Sequence, residues 1–380
     1  MPDKHAVLSA SSSHRWLNCP PSALLCAKEI DTPSEFAKQG TDAHTLCEYK
    51  LHRALGQQAK NPIENLTFFD EEMDDYSDLY VQYVMEKFNE RHENCKDSIV
   101  LIEQHLDFSK WVPSGFGTGD CVIVADEVLT VIDLKYGTGI LVEAENNSQM
   151  MCYALGALEL FDGIYDIKSV EMAIFQPRRD HISTFLITKK ELLLWAEQTL
   201  APIANLAAKG EGEYKAGSHC QFCKVKATCR KRAEYNLELA RYDFKMPSYL
   251  EDYEIEMILA KSEELVSWIG DVKDYALGQA ISGKDWKGWK LVEGRSNRKY
   301  VNEQIVAKVI EEAGYNPYEQ KMLGITAMTK MLGKTKFEEL LGGLIEKPQG
   351  KPTLVPLSDK RPMMKNTAMN DFKEDNDDVK

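Results

Sequence analysis

Ionisable side chains stand at the ends of two apolar runs in the middle of the chain. Asp120 precedes the run at 121–124, and Asp133 and Lys135 follow the run at 128–132. The turn-like letters between the runs predict a β-hairpin, which brings both aspartates to the same end of a sheet. Two neighbouring carboxylates repel each other unless a cation lies between them, and such hard oxygen ligands suit Mg²⁺ or Mn²⁺. We therefore expect a divalent-metal site with Lys135 beside it, placed to orient or deprotonate a water. A salt bridge at a strand end is the alternative.

A second group of chemically capable residues is rich in cysteine. Cys220, Cys223 and Cys229 have C-x₂-C-x₅-C spacing, which is typical of thiolate ligands of a soft metal. Three thiolates leave a tetrahedral site one ligand short, and Cys19, at the end of a short helix before Pro20, is the expected fourth. Zinc and an iron–sulfur cluster both suit these ligands. The lysines and arginines between the thiols favour metal binding and also suit phosphate contacts.

The remaining cysteines occur singly in apolar or helical surroundings and are Cys26, Cys47, Cys95, Cys121 and Cys152. The first residues show no signal-peptide pattern, so we expect a cytoplasmic protein whose thiols stay reduced. These five cysteines are then predicted to be inert core residues.

Length and composition limit the classes of protein. A chain of 380 residues allows a large core and two units, and 43% apolar residues are ordinary for a globular protein. The net charge of −14 excludes a uniformly basic DNA coat protein but not a local basic groove. No apolar run approaches the ~20 residues needed to cross a bilayer, so we expect no membrane partner.

Predicted helices and strands must position these side chains. The predicted helices are 33–55 (one helix, or two joined at Gly40), 76–89, 143–160 and 188–206, and the strands are 99–106, 121–124, 128–132, 170–176 and 182–187. His44 lies on the first helix, and Gln149 and Tyr153 lie one turn apart on the third. The order of helices, three strands, helix, two strands and helix predicts an α/β fold.

The composition changes beyond residue 233. Further helices are predicted over 253–277, over 302–313 and from Thr335 onward. Residues 284–300 combine two tryptophans with many cations, which is compatible with a base-stacking and phosphate-binding surface or with an exposed hairpin. We therefore divide the chain into residues 1–232 and a mainly helical region of unknown role, residues 233–380, which ends in a disordered acidic tail.

These motifs follow one another in an order that resembles a known superfamily. His44, Asp120, the D-x-K element at 133–135 and the Q-x-x-x-Y element at 149–153 lie between one cysteine upstream and three downstream. This arrangement resembles the PD-(D/E)XK nuclease superfamily, in particular its RecB/AddB-like branch with an iron–sulfur cluster. The segments ASSSHRWLNCPPSA, GTGDCVIV and KPTLVPLSDKRP further resemble a family of phage and prophage proteins assigned to that superfamily.

The resemblance implies a restriction-endonuclease-like core over residues 1–232, with a mixed central β-sheet flanked by helices, followed by a mainly helical C-terminal extension. The ligands that it implies for Mg²⁺ or Mn²⁺ are His44, Asp120, Asp133 and the Leu134 carbonyl. The catalytic residues that it implies are Asp120, Asp133, Lys135, Gln149 and Tyr153, with Lys135 activating the water and the last two orienting the scissile strand. The ligands implied for a [4Fe-4S] cluster, or alternatively for Zn²⁺, are Cys19, Cys220, Cys223 and Cys229.

The expected function is therefore metal-dependent hydrolysis of DNA phosphodiester bonds. We expect an exonuclease that acts in phage DNA recombination or replication in the cytoplasm of a bacterial host. Its expected partners are DNA and a phage single-strand-binding or annealing protein. The alternative is a non-catalytic nucleic-acid-binding or recombination scaffold protein with a four-cysteine zinc site.

Overall fold

A computed structural model describes residues 6–30, 34–238, 250–293, 300–318, 322–346, 353–355, 359 and 361–362. The chain divides into two compact units, Met1–Ser282 and Gly283–Lys380. This division does not test where a nuclease domain would end, so the boundary at residue 232 stays a prediction. The predicted acidic tail lies outside the described residues, as do residues 294–299 of the tryptophan-containing segment.

A five-stranded mixed sheet forms the centre of the first unit. In both chain order and spatial order its strands are β1 (Ile99–Asp107), β2 (Phe116–Val124), β3 (Glu127–Leu134), β4 (Ile167–Gln176) and β5 (His181–Thr188). All neighbouring strands are antiparallel except β3 and β4, which are parallel. Helices flank this sheet, and the described part of the C-terminal region is helical. The predicted α/β class, with a mixed sheet and a mainly helical extension, is confirmed.

The first unit contains nine helices in its described part. They are α1 (Ser13–Asn18), α2 (Ser22–Ala27), α3 (Glu35–Ala54), α4 (Glu71–Asn94), α5 (Ser148–Phe161), α6 (Lys189–Trp195), α7 (Ala201–Lys209), α8 (Arg230–Leu237) and α9 (Asp252–Ile281). A π-helical turn at Ala196–Leu200 joins α6 to α7, so the predicted helix over 188–206 is nearly continuous. Its predicted capping box between Thr188 and Glu191 is present.

The second unit is described by itself. Its helices are α10 (Glu303–Glu312), α11 (Ile325–Leu332) and α12 (Lys334–Leu341). The Asn302 side chain caps α10 by accepting from the Ile305 N–H, and Gly314, with a φ of 84°, follows the end of that helix.

Among the described residues of both units, no helix combines the length and the apolar composition needed to span a bilayer.

Two apolar layers cover the two faces of the sheet. Val122 and Val131 belong to the layer that contains α5, α6 and α7, whereas Cys121 and Ile132 belong to the layer that contains α3 and α4. Because successive residues of a strand point to opposite faces, a strand covered on both sides becomes a continuous apolar run. The burial of both faces of β3 accounts for the apolar run at 128–132. The Asp133 carboxylate lies where this run ends.

One predicted helix, 143–160, begins later in the structure. The Val142 and Ala144 N–H groups donate to the Gln176 and Ser183 side chains, which tethers this segment to β4 and β5 instead of to a helical turn. The Asn147 side chain then accepts from the first amides of α5 and sets its start at Ser148. The segment at 33–55 forms one helix, because Gly40 lies inside α3.

Candidate active site and cysteine site

A network of charged and polar groups joins the end of β3 to one face of α5. The Asp133 Oδ2 atom lies 2.8 Å from Lys135 Nζ, and Asp133 Oδ1 accepts from Gln149 Nε2 at 3.0 Å. Lys135 Nζ donates to Gln149 Oε1 at 3.1 Å. Gln149 Nε2 also lies 3.3 Å from the Tyr153 hydroxyl, one helical turn further along α5. Gln149 therefore holds the acidic group, the ammonium group and the phenol in one fixed arrangement.

Asp133 and Lys135 stabilise each other's charges against the effect of burial. Burial raises the pKa of Asp133, and the Lys135 ammonium opposes that rise. Burial lowers the pKa of Lys135, but the Asp133 carboxylate more than compensates, so the pKa of Lys135 is raised overall. Lys135 therefore remains protonated at neutral pH.

In the described part of the chain, one oxygen of the Asp133 carboxylate contacts only the Lys135 ammonium. Its Oδ2 atom is within ion-pair distance of Lys135 but has no hydrogen bond of acceptable direction among the described residues, although the atom is buried. Buried acceptors are normally satisfied, and exceptions concentrate where a further ligand binds. This oxygen fits a metal ligand.

Three more potential ligands converge from three elements. His44 of α3, Glu103 of β1 and Asp120 of β2 bring their ligand atoms within 4.8 Å of one another. His44 Nδ1 lies 3.2 Å from Asp120 Oδ1, and Asp120 Oδ2 accepts from the Leu134 N–H at 2.7 Å. One imidazole with two carboxylates is a donor set that suits Mg²⁺ or Mn²⁺. The residues present therefore fit a divalent ion.

The electrostatics of this group show an excess of negative charge. Burial lowers the pKa of His44, but the Asp120 carboxylate overrides it and raises that pKa to about 9. Burial, together with the Asp120 charge, raises the pKa of Glu103 to about 7. At neutral pH the imidazole thus keeps its proton and the Glu103 carboxyl is partly protonated, as expected where negative charges lack a cation.

The structure brings most of the predicted active-site residues together, with one qualification. Asp133 does not belong to the compact group of His44, Glu103 and Asp120. It is bound to Lys135 and Gln149, but its charge still contributes to raising the His44 pKa. The two sets of residues therefore form one electrostatic site at the open end of the β2–β3 hairpin, opposite its turn.

Glu103 is the residue that sequence reasoning missed. Ile102 pairs with Cys121 and Gln104 pairs with Gly119, so this register places Glu103 opposite Asp120. Glu103 has a φ of 47°, an uncommon conformation for a non-glycine residue and one that is often found at functional sites. A carboxylate directly after the four apolar residues 99–102 was the available signal. The sequence could not give the register between β1 and β2, so it could not place that carboxylate beside Asp120.

The four predicted thiols line one pocket, although they come from both ends of the first unit. Cys19 follows α1, Cys220 lies in the 3₁₀ turn Ser218–Phe222, Cys223 follows that turn, and Cys229 precedes α8. Within the described chain, no three of these thiols come within 4.8 Å of one another. Ligands of one tetrahedral zinc ion lie only ~3.8 Å apart, as follows from a Zn–S bond of ~2.3 Å.

Buried cations line the same pocket. Arg15 donates to the Ser22 carbonyl at 2.6 Å, and Arg232 donates to Asp271 Oδ2 at 2.6 Å. Arg232 is 2% exposed, and its Nε–H has no hydrogen-bond partner among the described residues. Soft donors beside buried cations fit an anionic metal–thiolate group.

The five cysteines predicted to be inert have different surroundings. Cys47, Cys121 and Cys152 lie in the core, and burial raises the pKa of each thiol. Cys95 contacts the Asp97 carboxylate at 3.0 Å. Cys26 lies beside the cysteine site with its Sγ 3.7 Å from Cys223 Sγ, and this hydrogen bond lowers the pKa of Cys26 to about 6. Cys26, predicted to be an inert core residue, is buried as expected but lies in contact with one of the predicted metal-binding cysteines.

Comparisons with known proteins identify a family. The solved structure titled "Crystal structure of SSO0001" aligns with a TM-score of 0.23 and 13% identity, covering 51% of this chain and 98% of that chain. A superposition at this level does not establish a shared fold. Residues 5–362 match the family described as "Protein of unknown function (DUF2800)". Since this match spans most of the chain, the protein belongs to the DUF2800 family.

Proposed function

We propose that this protein is a metal-dependent deoxyribonuclease of the PD-(D/E)XK type. The observation that carries the proposal is the pairing of Asp133, Lys135 and Gln149 directly beside the ligand group of His44, Glu103 and Asp120. An ion pair that served stability alone would not need three further titratable groups beside it. Clusters of mutually perturbed titratable groups are characteristic of active sites.

The order of elements around the site supports the same proposal. The helices α3 and α4 precede three antiparallel strands, and α5 then connects β3 to the parallel strand β4. This order agrees with the restriction-endonuclease-like core that the sequence resemblance implies. The hairpin supplies Asp120 and Asp133, and the crossover helix supplies Gln149 and Tyr153.

The chain's own residues have distinct roles in this mechanism. The metal ligands are His44, Glu103, Asp120, Asp133 and the Leu134 carbonyl. When bound, the divalent ion polarises a phosphoryl oxygen and lowers the pKa of the attacking water. Lys135 keeps its proton on Nζ, because Asp133 raises its pKa. It therefore orients the water and stabilises the negative charge that develops on the phosphate. Gln149 holds Lys135 in place and is itself held by the Tyr153 hydroxyl, and both residues orient the scissile strand.

The decisive experiment measures cleavage of end-labelled single- and double-stranded DNA with Mg²⁺ or Mn²⁺. We expect Lys135→Ala to lower turnover by ~10²–10³-fold, the effect of removing one transition-state donor, while DNA binding is retained. Lys168→Ala is the matched control, because Lys168 forms an exposed ion pair with Glu127 at the other end of β4. Glu103→Ala should raise the Mn²⁺ concentration needed for half-maximal activity.

The possible outcomes separate the proposal from its alternative. Full activity in Lys135→Ala would remove the nuclease assignment from this site. A wild-type protein that binds DNA without cleaving it in either metal would instead support a recombination scaffold. The labelled products also determine the polarity of cleavage and distinguish exonuclease from endonuclease action. We propose that this activity serves phage DNA recombination or replication, together with a single-strand-binding or annealing protein.

For the cysteine site we propose a structural metal group that fastens the N-terminal segment to the region around α8. The pocket contains Cys19 together with the three downstream thiols. Their wide spacing favours a [4Fe-4S] cluster over one Zn²⁺ ion. Iron, sulfide and zinc analysis of anaerobically purified protein distinguishes these two groups.

A further inference from the structure

A fifth thiol lies next to the four that line the cysteine pocket. Cys26 is in the last turn of α2, is 4% exposed and has its Sγ 3.7 Å from Cys223 Sγ. This separation is far longer than the ~2.05 Å of a disulfide bond, so the two sulfurs are in contact without being bonded. The ligand position that we assign to Cys223 therefore has a second sulfur in direct contact with it.

Backbone N–H groups and a buried arginine favour negative charge on both sulfurs. The Lys224 N–H donates to Cys26 Sγ at 3.3 Å, and the Val225 backbone N–H stabilises the charged forms of both Cys26 and Cys223. The buried Arg15 guanidinium also favours the thiolate of both residues. A thiolate at either position thus meets the Val225 N–H and the Arg15 cation, and Cys26 meets the Lys224 N–H in addition.

The position of Cys26 is set by the segment that also carries a predicted ligand. Cys19 ends α1, and Pro20 and Pro21 lead directly into α2, whose first amides donate back to the Cys19 and Pro20 carbonyls. Proline has a restricted φ, so this connection is stiff. Cys26 is therefore held beside the site by the same turn that positions Cys19.

We propose that Cys26 is a reserve metal ligand that can take the place of Cys223 at the cysteine site. In the exchange, the bond between the metal and Cys223 breaks and a bond to Cys26 forms. The two sulfurs share one proton across their contact, and this proton resides on whichever sulfur the metal does not bind. No electron is gained or lost, so the exchange needs no oxidant or reductant. It also does not depend on nuclease activity.

The test is the metal content of the full chain, purified anaerobically, for single and double cysteine variants. We expect Cys223→Ser to keep at least half of the wild-type metal, because Cys26 replaces the missing ligand. The Cys26→Ser/Cys223→Ser double variant should retain less than a tenth, as should Cys229→Ser, which has no such substitute. Cys26→Ser alone should resemble wild type, as should Cys152→Ser, the matched buried control in α5.

Two outcomes would overturn the proposal. One is loss of metal from Cys223→Ser as complete as that from Cys229→Ser. The other is equal metal retention by Cys223→Ser and by the double variant. Wild-type protein that binds no iron or zinc would also remove the basis for a reserve ligand.

A measurement on the wild-type chain avoids reliance on variants that fail to fold. Metal-loaded protein is alkylated to about one label per chain and analysed by native mass spectrometry with peptide mapping. Molecules labelled only at Cys223 should retain their metal, and molecules labelled at both Cys26 and Cys223 should have lost it. Metal loss from molecules labelled only at Cys223 would contradict the exchange.

Discussion

Replacing Lys135 by methionine tests whether the charged pair at the end of β3 is maintained for function at the expense of stability. The substitution removes the ammonium but keeps a side chain of similar length. Asp133, whose side chain is 3% exposed, then loses its counter-charge, while the Lys135 side chain that leaves was 30% exposed. The carboxylate, rather than the ammonium, therefore determines the energetic cost.

The size of that cost follows from two limits. Removing one partner of a buried ion pair costs about 3–5 kcal/mol, and the partial exposure of Lys135 places this pair at the lower end. Asp133 keeps its hydrogen bond from Gln149 Nε2 at 3.0 Å and can also escape by protonating. Holding a carboxyl protonated at pH 7 costs ~1.4 kcal/mol for each unit above its unfolded pKa of ~3.9, or about 4 kcal/mol. We expect Lys135→Met to lower the free energy of unfolding by about 3 kcal/mol at pH 7, the lower end of that range.

The pH dependence has a definite sign. Without Lys135, the folded-state pKa of Asp133 rises further above its unfolded value. The folded chain then binds the extra proton, so the destabilisation grows as pH rises from ~3.9 towards the new folded pKa. At pH 5 protonation costs only about 1.5 kcal/mol, and the loss should shrink to that size.

Urea unfolding in EDTA, followed by circular dichroism at pH 5 and pH 7, measures these differences. The double variant Asp133→Asn/Lys135→Met removes both charges and should recover about 2 kcal/mol of the loss. Lys168→Met, at an exposed ion pair, should lose less than about 1 kcal/mol. A Lys135→Met variant within roughly 0.5 kcal/mol of wild type at pH 7, or a double variant whose losses simply add, would refute the reasoning.

Two further predictions concern the metal group and the packing around α5. Asp120 raises the pKa of His44 to about 9, against the effect of burial, so a proton must leave the imidazole before metal binds. The apparent Mn²⁺ affinity, measured by calorimetry, should therefore rise with pH up to about 9, and this pH dependence should be weaker in His44→Gln. Equal affinities of the wild-type protein at pH 7 and pH 8.5 would contradict this prediction. A Cβ added at Gly117 would lie 2.7 Å from Tyr153 Cε1, whereas a Cβ added at Gly40 would meet no atom within 4 Å. Thermal unfolding should therefore show Gly117→Ala destabilised by about 1–3 kcal/mol and Gly40→Ala stabilised by about 0.5–1 kcal/mol. Similar changes in both variants would show that the Tyr153 ring does not require a glycine at position 117.

The parts of the fold that sequence predicts are those set by local patterns. The β-branched run before Asp133 predicts the central strand, and the turn letters that precede this run predict the hairpin. The capping box at Thr188 gave the start of α6. Each of these signals lies within one segment, so no knowledge of the rest of the chain is needed.

The parts that sequence missed depend on contacts between distant segments. Glu103 joins the site through the register of β1 on β2, which the loop between the strands does not encode. Cys26 meets Cys223 only because both ends of the first unit come together. The late start of α5 results from side chains of β4 and β5 that capture the backbone before Asn147.

The charges of the metal-ligand group explain why protons and a divalent ion should compete for it. Metal-free at neutral pH, His44 carries a proton and Glu103 is partly protonated, since their pKa values are about 9 and about 7. Binding one divalent ion releases up to two protons from these groups, so the net charge of the half-buried site hardly changes. A monovalent ion cannot replace two protons without leaving an uncompensated carboxylate. Asp133 and Lys135 meanwhile remain paired, so the ammonium is retained beside the metal, where the proposed phosphate would bind.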